Sequence, residues 1–270
     1  MTAPRSLPHL MVAPNGARRT KADHPALPIK VGELVDTALA CQRAGADGMH
    51  LHVRDEDGKH SLDVGLYREA LAAVGAALPG FFLQVTSEAA GVFGPEAQMA
   101  MIRELRPASV SLALSELMRG AVGDVAARAF YTWAEDNGVG IHHIAYSPME
   151  LRRLLDCAEA GVIPGTHLQL QLVLGSYAAT EPSRPKDLHA YIDVMAARKD
   201  ALTFDWMICA FGAAETECLA YTVANGGKAR VGFENSLWNA DGSVATDNAE
   251  RVAEVRAAIA AAQTLSPGDR

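Results

Sequence analysis

The chain has 270 residues, is 49% hydrophobic and 21% charged, and carries a formal net charge of −8 at pH 7. Its length suffices for a large core, and its acidic balance speaks against a nucleic-acid binder, which shows a basic balance or stripe. No stretch is apolar enough for a membrane span, Met1–Ser6 lack a secretory signal, and Cys41, Cys157, Cys209 and Cys218 form no C-x-x-C pair, so a cytoplasmic protein with reduced thiols is expected.

Short apolar or β-branched runs alternate with longer stretches of helical period. Strands are predicted at Leu10–Pro14, Gly48–Val53, Phe81–Thr86, Ser109–Leu114, Ile141–Tyr146, Leu168–Leu174, Phe204–Ala210 and Ala229–Phe233. Helices are predicted at Val31–Ala44, Leu62–Ala77, Pro95–Leu105, Arg119–Asn137, Pro148–Ala160, Lys186–Arg198, Ala214–Asn225 and Asp247–Gln263. In the last, Val252, Val255, Ile259 and Ala262 recur three or four apart, which is helical spacing. Several helices run into a glycine, as at Ala44-Gly45 and Ala160-Gly161, where a left-handed cap is wanted. Eight βα units in this length predict one (β/α)8 (TIM) barrel domain spanning residues 1–270. A doubly wound open sheet is the alternative, but no G-x-G-x-x-G turn follows the first strand.

Barrel active sites are built at the C-terminal ends of the strands. The first strand delivers Asn15-Gly16 and Arg18, the third Thr86-Ser87-Glu88, the fourth Ser111 and the sixth Gly175-Ser176-Tyr177. Asn15, Arg18, Thr86, Ser87 and Ser111 are by position candidate substrate contacts. The second strand carries His50 and His52, which on alternating geometry point to one side and can share a metal ion. Glu234, ending the eighth strand, is the best third ligand, because two imidazoles and a carboxylate form a catalytic zinc set with a position left open. Its alternative is a salt bridge to Arg230 or Arg18. His142 and His143 sit too low on their strand for ligands and read as core or interface residues. His9, His24, His60, His167 and His189 read as loop or surface residues, with His60 near enough to the second strand to touch a ligand.

These residues resemble the β-keto acid cleavage enzymes, whose founding activity is 3-keto-5-aminohexanoate cleavage. The likeness rests on Asn15-Gly16-Ala17, on Lys21 through Pro28, on His50-Leu51-His52-Val53-Arg54-Asp55, and on Arg230-Val231-Gly232-Phe233-Glu234 with Asn248-Ala249. It implies a zinc-dependent barrel that exchanges a β-keto acid and acetyl-CoA for acetoacetate and a new acyl-CoA, assembled as a homotetramer. It also implies His50, His52 and Glu234 as metal ligands, Thr86 and Ser111 as carboxylate contacts, and Arg230 as the site arginine. Three positions depart from the family pattern. Asn235 stands where the founding enzyme has an aspartate proposed as base, and an amide takes up no proton at neutral pH. Arg18 replaces a first-loop glutamate, and Glu88 replaces a glycine. Glu88 is thus the candidate for the missing carboxylate, clamped by Arg18, against the readings of a helix-starting acid or a substrate-size filter. A metal-dependent hydrolase of amidohydrolase type, and a barrel that binds acyl-CoA or zinc without turnover, are the competing functions.

Overall fold

The computed structural model describes residues 5–120, 122–176 and 183–264. Tyr177, expected to follow the sixth strand, lies outside them. Strands β1 (Leu10–Val12), β2 (Gly48–Leu51), β3 (Phe82–Thr86), β4 (Ser109–Ala113), β5 (Gly140–Ala145), β6 (His167–Leu174), β7 (Thr203–Ala210) and β8 (Lys228–Val231) pair in parallel in chain order. β8 returns to pair with β1, closing an eight-stranded barrel. The predicted (β/α)8 architecture is therefore the one observed.

Around the barrel lie α1 (Val31–Ala44), α2 (Val64–Ala77), α3 (Pro95–Leu105), the one-turn α4 (Leu114–Leu117), α5 (Asp124–Asp136), α6 (Pro148–Glu159), α7 (His189–Ala196), α8 (Glu215–Ala224) and α9 (Asn248–Thr264). Their local signals are physical. α1 buries Leu34, Ala38 and Cys41 along one stripe, and Glu33 reaches back to accept from the N–H groups of Ile29 and Lys30. Ser147 caps α6 by accepting from the Glu150 N–H, with Pro148 at the first helical position. The expected helix over Arg119–Asn137 begins only at Asp124, because Gly120 and Gly123 break the run before it.

Strand alternation divides the interior into layers. Met49, Leu51, Val85, Leu172, Leu174, Ile208 and Ala210 face outward into the large core shared with the helices. Leu7, Met11, Phe82 and Met207 form an apolar plug at the N-terminal end. Above it, His50, Gln84, His142, Gln171 and Arg230 make a buried polar belt. Ala113, Ile144, Val173 and Cys209 form a separate apolar cluster near the C-terminal mouth.

Several predicted strands end earlier in the structure, and two of these changes, in β2 and β8, shape the site. β2 stops at Leu51, and Val53–Arg54 leave the barrel to pair antiparallel with His60–Ser61. At His52 the strand ladder is replaced by a side chain. Asn15 Nδ2 donates to the His52 carbonyl at 2.9 Å, and the His52 N–H donates to Asn15 Oδ1 at 3.3 Å. β8 stops at Val231, so Glu234 lies in a tight turn beyond the strand instead of ending it. Gly232 makes that turn at φ +142°, where a Cβ would stand 2.5 Å from the Ala13 carbonyl oxygen.

Candidate active site

The three expected ligands come together. His50 Nε2 and His52 Nε2 are 3.2 Å apart, and Glu234 Oε2 lies 3.6 Å from the first and 3.4 Å from the second. All three residues are buried, and their donor atoms lie within 4.8 Å of one another. Ligands about 2.0–2.2 Å from a tetrahedral zinc ion stand roughly 3.3–3.6 Å apart, so the spacing fits one shared cation.

The protonation pattern fits as well. Gln84 Nε2 donates to Ser109 Oγ at 3.1 Å and to His142 Nδ1 at 2.9 Å, leaving its Oε1 against His50 Nδ1 at 2.9 Å. An amide oxygen only accepts, so the His50 proton sits on Nδ1 and the Nε2 lone pair faces Glu234 and His52. Burial pushes His50 well below the usual histidine range, keeping the ring neutral, as a ligand must be. Burial alone would push Glu234 up, but the Arg230 guanidinium beside it, the largest opposing influence, holds the carboxyl well below its ordinary range. Arg230 Nη2 donates to Glu234 Oε1 at 2.9 Å, to Asn235 Oδ1 at 3.4 Å and to Cys209 Sγ at 3.3 Å. The salt bridge to Arg230 occupies Oε1 and leaves Oε2 facing the two imidazoles, so it does not exclude a ligand role for Glu234.

A cavity of about 460 Å³ opens over this cluster, with Arg18, His50, Thr86, Glu88, Arg230 and Glu234 in its wall. Thr86 Oγ1 accepts from Ser111 Oγ at 3.2 Å and from the Glu88 N–H at 3.0 Å, which leaves its own proton to donate into the cavity. Glu88 Oε2 lies 3.9 Å from His52 Nε2. Burial raises the Glu88 carboxyl, opposed by His52 and by Arg18. It stands well ahead of the helix that begins at Pro95, so it is no helix-starting acid. Asn15 and Ser87 do not reach the cavity. Asn15 spends its amide on Pro28 and His52, and Ser87 donates to the Ser111 carbonyl at 2.8 Å. A second cavity of about 430 Å³, beside Asp47 and Arg256 at the N-terminal end of the barrel, touches none of the candidate residues.

His24 sits differently from the sequence expectation, while His60 lies beside the second strand as expected. His24 is buried, with Nε2 2.8 Å from the Ala245 carbonyl and its ring 4.4 Å from that of Phe233. His60 joins the site: its ring centroid is 5.1 Å from that of His52, and Nε2 lies 2.9 Å from the Glu88 carbonyl oxygen. Gln84 was missed altogether. Its signal, a glutamine inside an otherwise apolar strand beside the His50 strand, is visible only once the strands are paired.

Comparison with known proteins decides the family. A family model for beta-keto acid cleavage enzymes matches residues 9–265. The chain belongs to the beta-keto acid cleavage enzyme family. It is 26% identical over 261 residues to the 3-oxoadipate:acetyl-CoA acetyltransferase of Cupriavidus necator, covering 92% of this chain and 87% of that one. It is 25% identical over 284 residues to the 3,5-dioxohexanoate:acetyl-CoA acetone transferase of Paraburkholderia graminis, covering 92% and 88%. A 3-keto-5-aminohexanoate cleavage enzyme of Acetoanaerobium sticklandii is 25% identical over 246 residues, covering 89% and 87%. This member of the beta-keto acid cleavage family is accordingly an enzyme. Among solved structures, a ternary complex of ObcA with a C4-CoA adduct and oxalate matches at TM-score 0.65 and 15% identity, covering 88% of this chain. The chain spans only 64% of that protein's length. The 3-dehydroquinate dehydratase of Geobacillus kaustophilus matches at TM-score 0.61 and 12% identity, covering 96% and 93%. At such identities these two likenesses speak for the barrel fold alone.

Proposed function

We propose that this enzyme exchanges a β-keto acid and acetyl-CoA for acetoacetate and a new acyl-CoA, with one zinc ion held by His50, His52 and Glu234. The observation that carries the reading is the convergence of those three donors beside a cavity that His50 and Glu234 line, in a chain matched along nearly its whole length by the family model. The names of two relatives support acetyl-CoA as co-substrate. A zinc ion with an open position supplies Lewis acidity toward a β-keto oxygen.

The chain's own residues have separate tasks in this reading. Thr86 donates its hydroxyl proton to the substrate carboxylate, and Ser111 fixes the direction of that hydroxyl. Arg230 orients Glu234 and keeps it ionised, while Asn235 accepts from Arg230 in the place of a charged partner. Glu88 is the carboxylate facing the cavity that can hold a transferred proton, and Arg18 lines the same wall. His60 holds the Glu88 main chain. A homotetramer is the assembly this reading carries, and sedimentation measures it.

The decisive test mixes metal-analysed protein with a panel of β-keto acids and acetyl-CoA and follows acetoacetate and acyl-CoA by mass spectrometry. Product from any member establishes the exchange. Stoichiometric zinc with no product across the panel overturns it in favour of a binding role.

A further inference from the structure

The cavity is two-faced. Its ionic side chains follow β8, β1, β3 and β4: Arg230, Glu234, Arg18, Glu88, Glu116 and Arg119. Among the described residues, β5, β6 and β7 contribute no charged side chain to it. Their sector is built instead around Ile144, Val173 and Cys209, with Phe211 packed against them and the hydroxyl side chains of Tyr146 and Ser176 as its polar groups. These side chains belong to neither the main core nor the N-terminal plug. The burial of Cys209 pushes its thiol up to about 11, so it stays neutral, and its Sγ meets Arg230 Nη2 at 3.3 Å where the two halves of the cavity join.

We infer that this apolar crescent receives the acyl substituent of the β-keto acid, making the preferred substrates those with an uncharged hydrocarbon chain. The inference rests on the function proposed above, which places the carboxylate and keto group over Thr86 and the His50–His52–Glu234 cluster. A substrate held there on the β2, β3 and β8 side has its remaining carbon chain directed across the barrel, toward β5–β7. In that sector an ammonium or a second carboxylate loses its water and meets, among the described residues of β5–β7, no charged side chain. A methylene chain in the same place gains contact, at about fourfold in affinity per carbon buried.

Binding separates this claim from the reaction itself. 3-Hydroxyhexanoate, 3-hydroxyadipate and 3-hydroxy-5-aminohexanoate lack the keto group that activates cleavage, so calorimetry on zinc-loaded protein without acetyl-CoA reads affinity alone. The uncharged acid should bind at least about tenfold more tightly than either charged one. Val173→Asp should erase that preference. Phe211→Ala, at a half-buried position, should weaken the uncharged acid about fivefold and serves if Val173→Asp does not fold. Equal or tighter binding of a charged acid, or no saturable binding of 3-hydroxyhexanoate, overturns the inference. Selective binding of 3-hydroxyhexanoate while no β-keto acid turns over with acetyl-CoA leaves the pocket assignment standing and removes the reaction.

Discussion

In the proposed reaction His50 and Glu88 divide the chemistry at the residue scale. His50 is oriented from behind by Gln84, so its Nε2 lone pair is committed to the cluster with His52 and Glu234. His50→Ala should lose both bound zinc and turnover, and full zinc content in that variant by metal analysis would refute the ligand assignment. Glu88 contacts the cluster at 3.9 Å but keeps its carboxylate in the cavity wall. Glu88→Gln should keep zinc at one per chain and slow turnover by about 10²–10⁴, the usual contribution of a positioned proton acceptor. An undiminished kcat would show that the position filters substrate instead. The clustering of His50, His52 and Glu234 was legible in the sequence because period two puts the two histidines on one side and a carboxylate follows the eighth strand. Gln84 and the burial of His24 were not, since each depends on a partner from another element.

At the scale of elements, the β8 turn and the entry to α1 show how loops are made rigid. The turn carrying Glu234 is held by backbone contacts from outside it. The Phe233 N–H donates to Asn248 Oδ1 at 2.9 Å, Asn248 Nδ2 donates to the Pro14 carbonyl at 3.1 Å, and the Glu234 N–H donates to the Ala13 carbonyl at 3.1 Å. Asn248 thereby ties the β8 turn to the end of β1, and Asn15 ties β1 to His52. Asn248→Ala leaves two buried groups without partners, costing about 1–3 kcal/mol each, and should weaken zinc about 10–100-fold in a chelator competition. A lowered melting temperature with unchanged zinc affinity would mean that the turn holds Glu234 without this strut.

The α1 entry sets a pH dependence. Burial alone would raise the Glu33 carboxyl, but Lys21 and the N–H groups of Lys30 and Ile29 outweigh it and hold it at about 2 instead of 4.5. The folded value lies below the unfolded one, so this contribution is full above pH 4.5 and fades as the pH falls toward 2. Melting temperatures of Glu33→Gln should therefore fall less than wild type across that window. Parallel curves would place acid lability elsewhere. The sequence showed the helix here, while the Lys21 contact depends on how the first loop folds back.

For the whole molecule, the site lies across the barrel seam. Its donors come from the end of β2 and the turn after β8, the two neighbours of β1. A bound cation therefore links both sides of the place where first and last strands close the sheet. Zinc at a hundred times its dissociation constant adds about 2.7 kcal/mol, which for a chain of this size raises the melting temperature by roughly 5–10 °C. Melts with chelator and with added zinc measure this directly, and coincident curves would show that nothing binds at the seam.

The sequence by itself determined the alternation of eight strands and helices, and with it the barrel, because periods of two and near four are local properties of the chain. It also determined which residue types end each strand, and so the two histidines and the glutamate. Tertiary structure alone decided that Glu234 sits one turn past its strand, that Arg230 and the cluster share its carboxylate, and that His60 stands beside His52. It also divided the cavity into an ionic and an apolar half. Those facts depend on barrel closure and strand register, which bring residues far apart in the chain within a few ångströms and leave no periodic trace in any one segment.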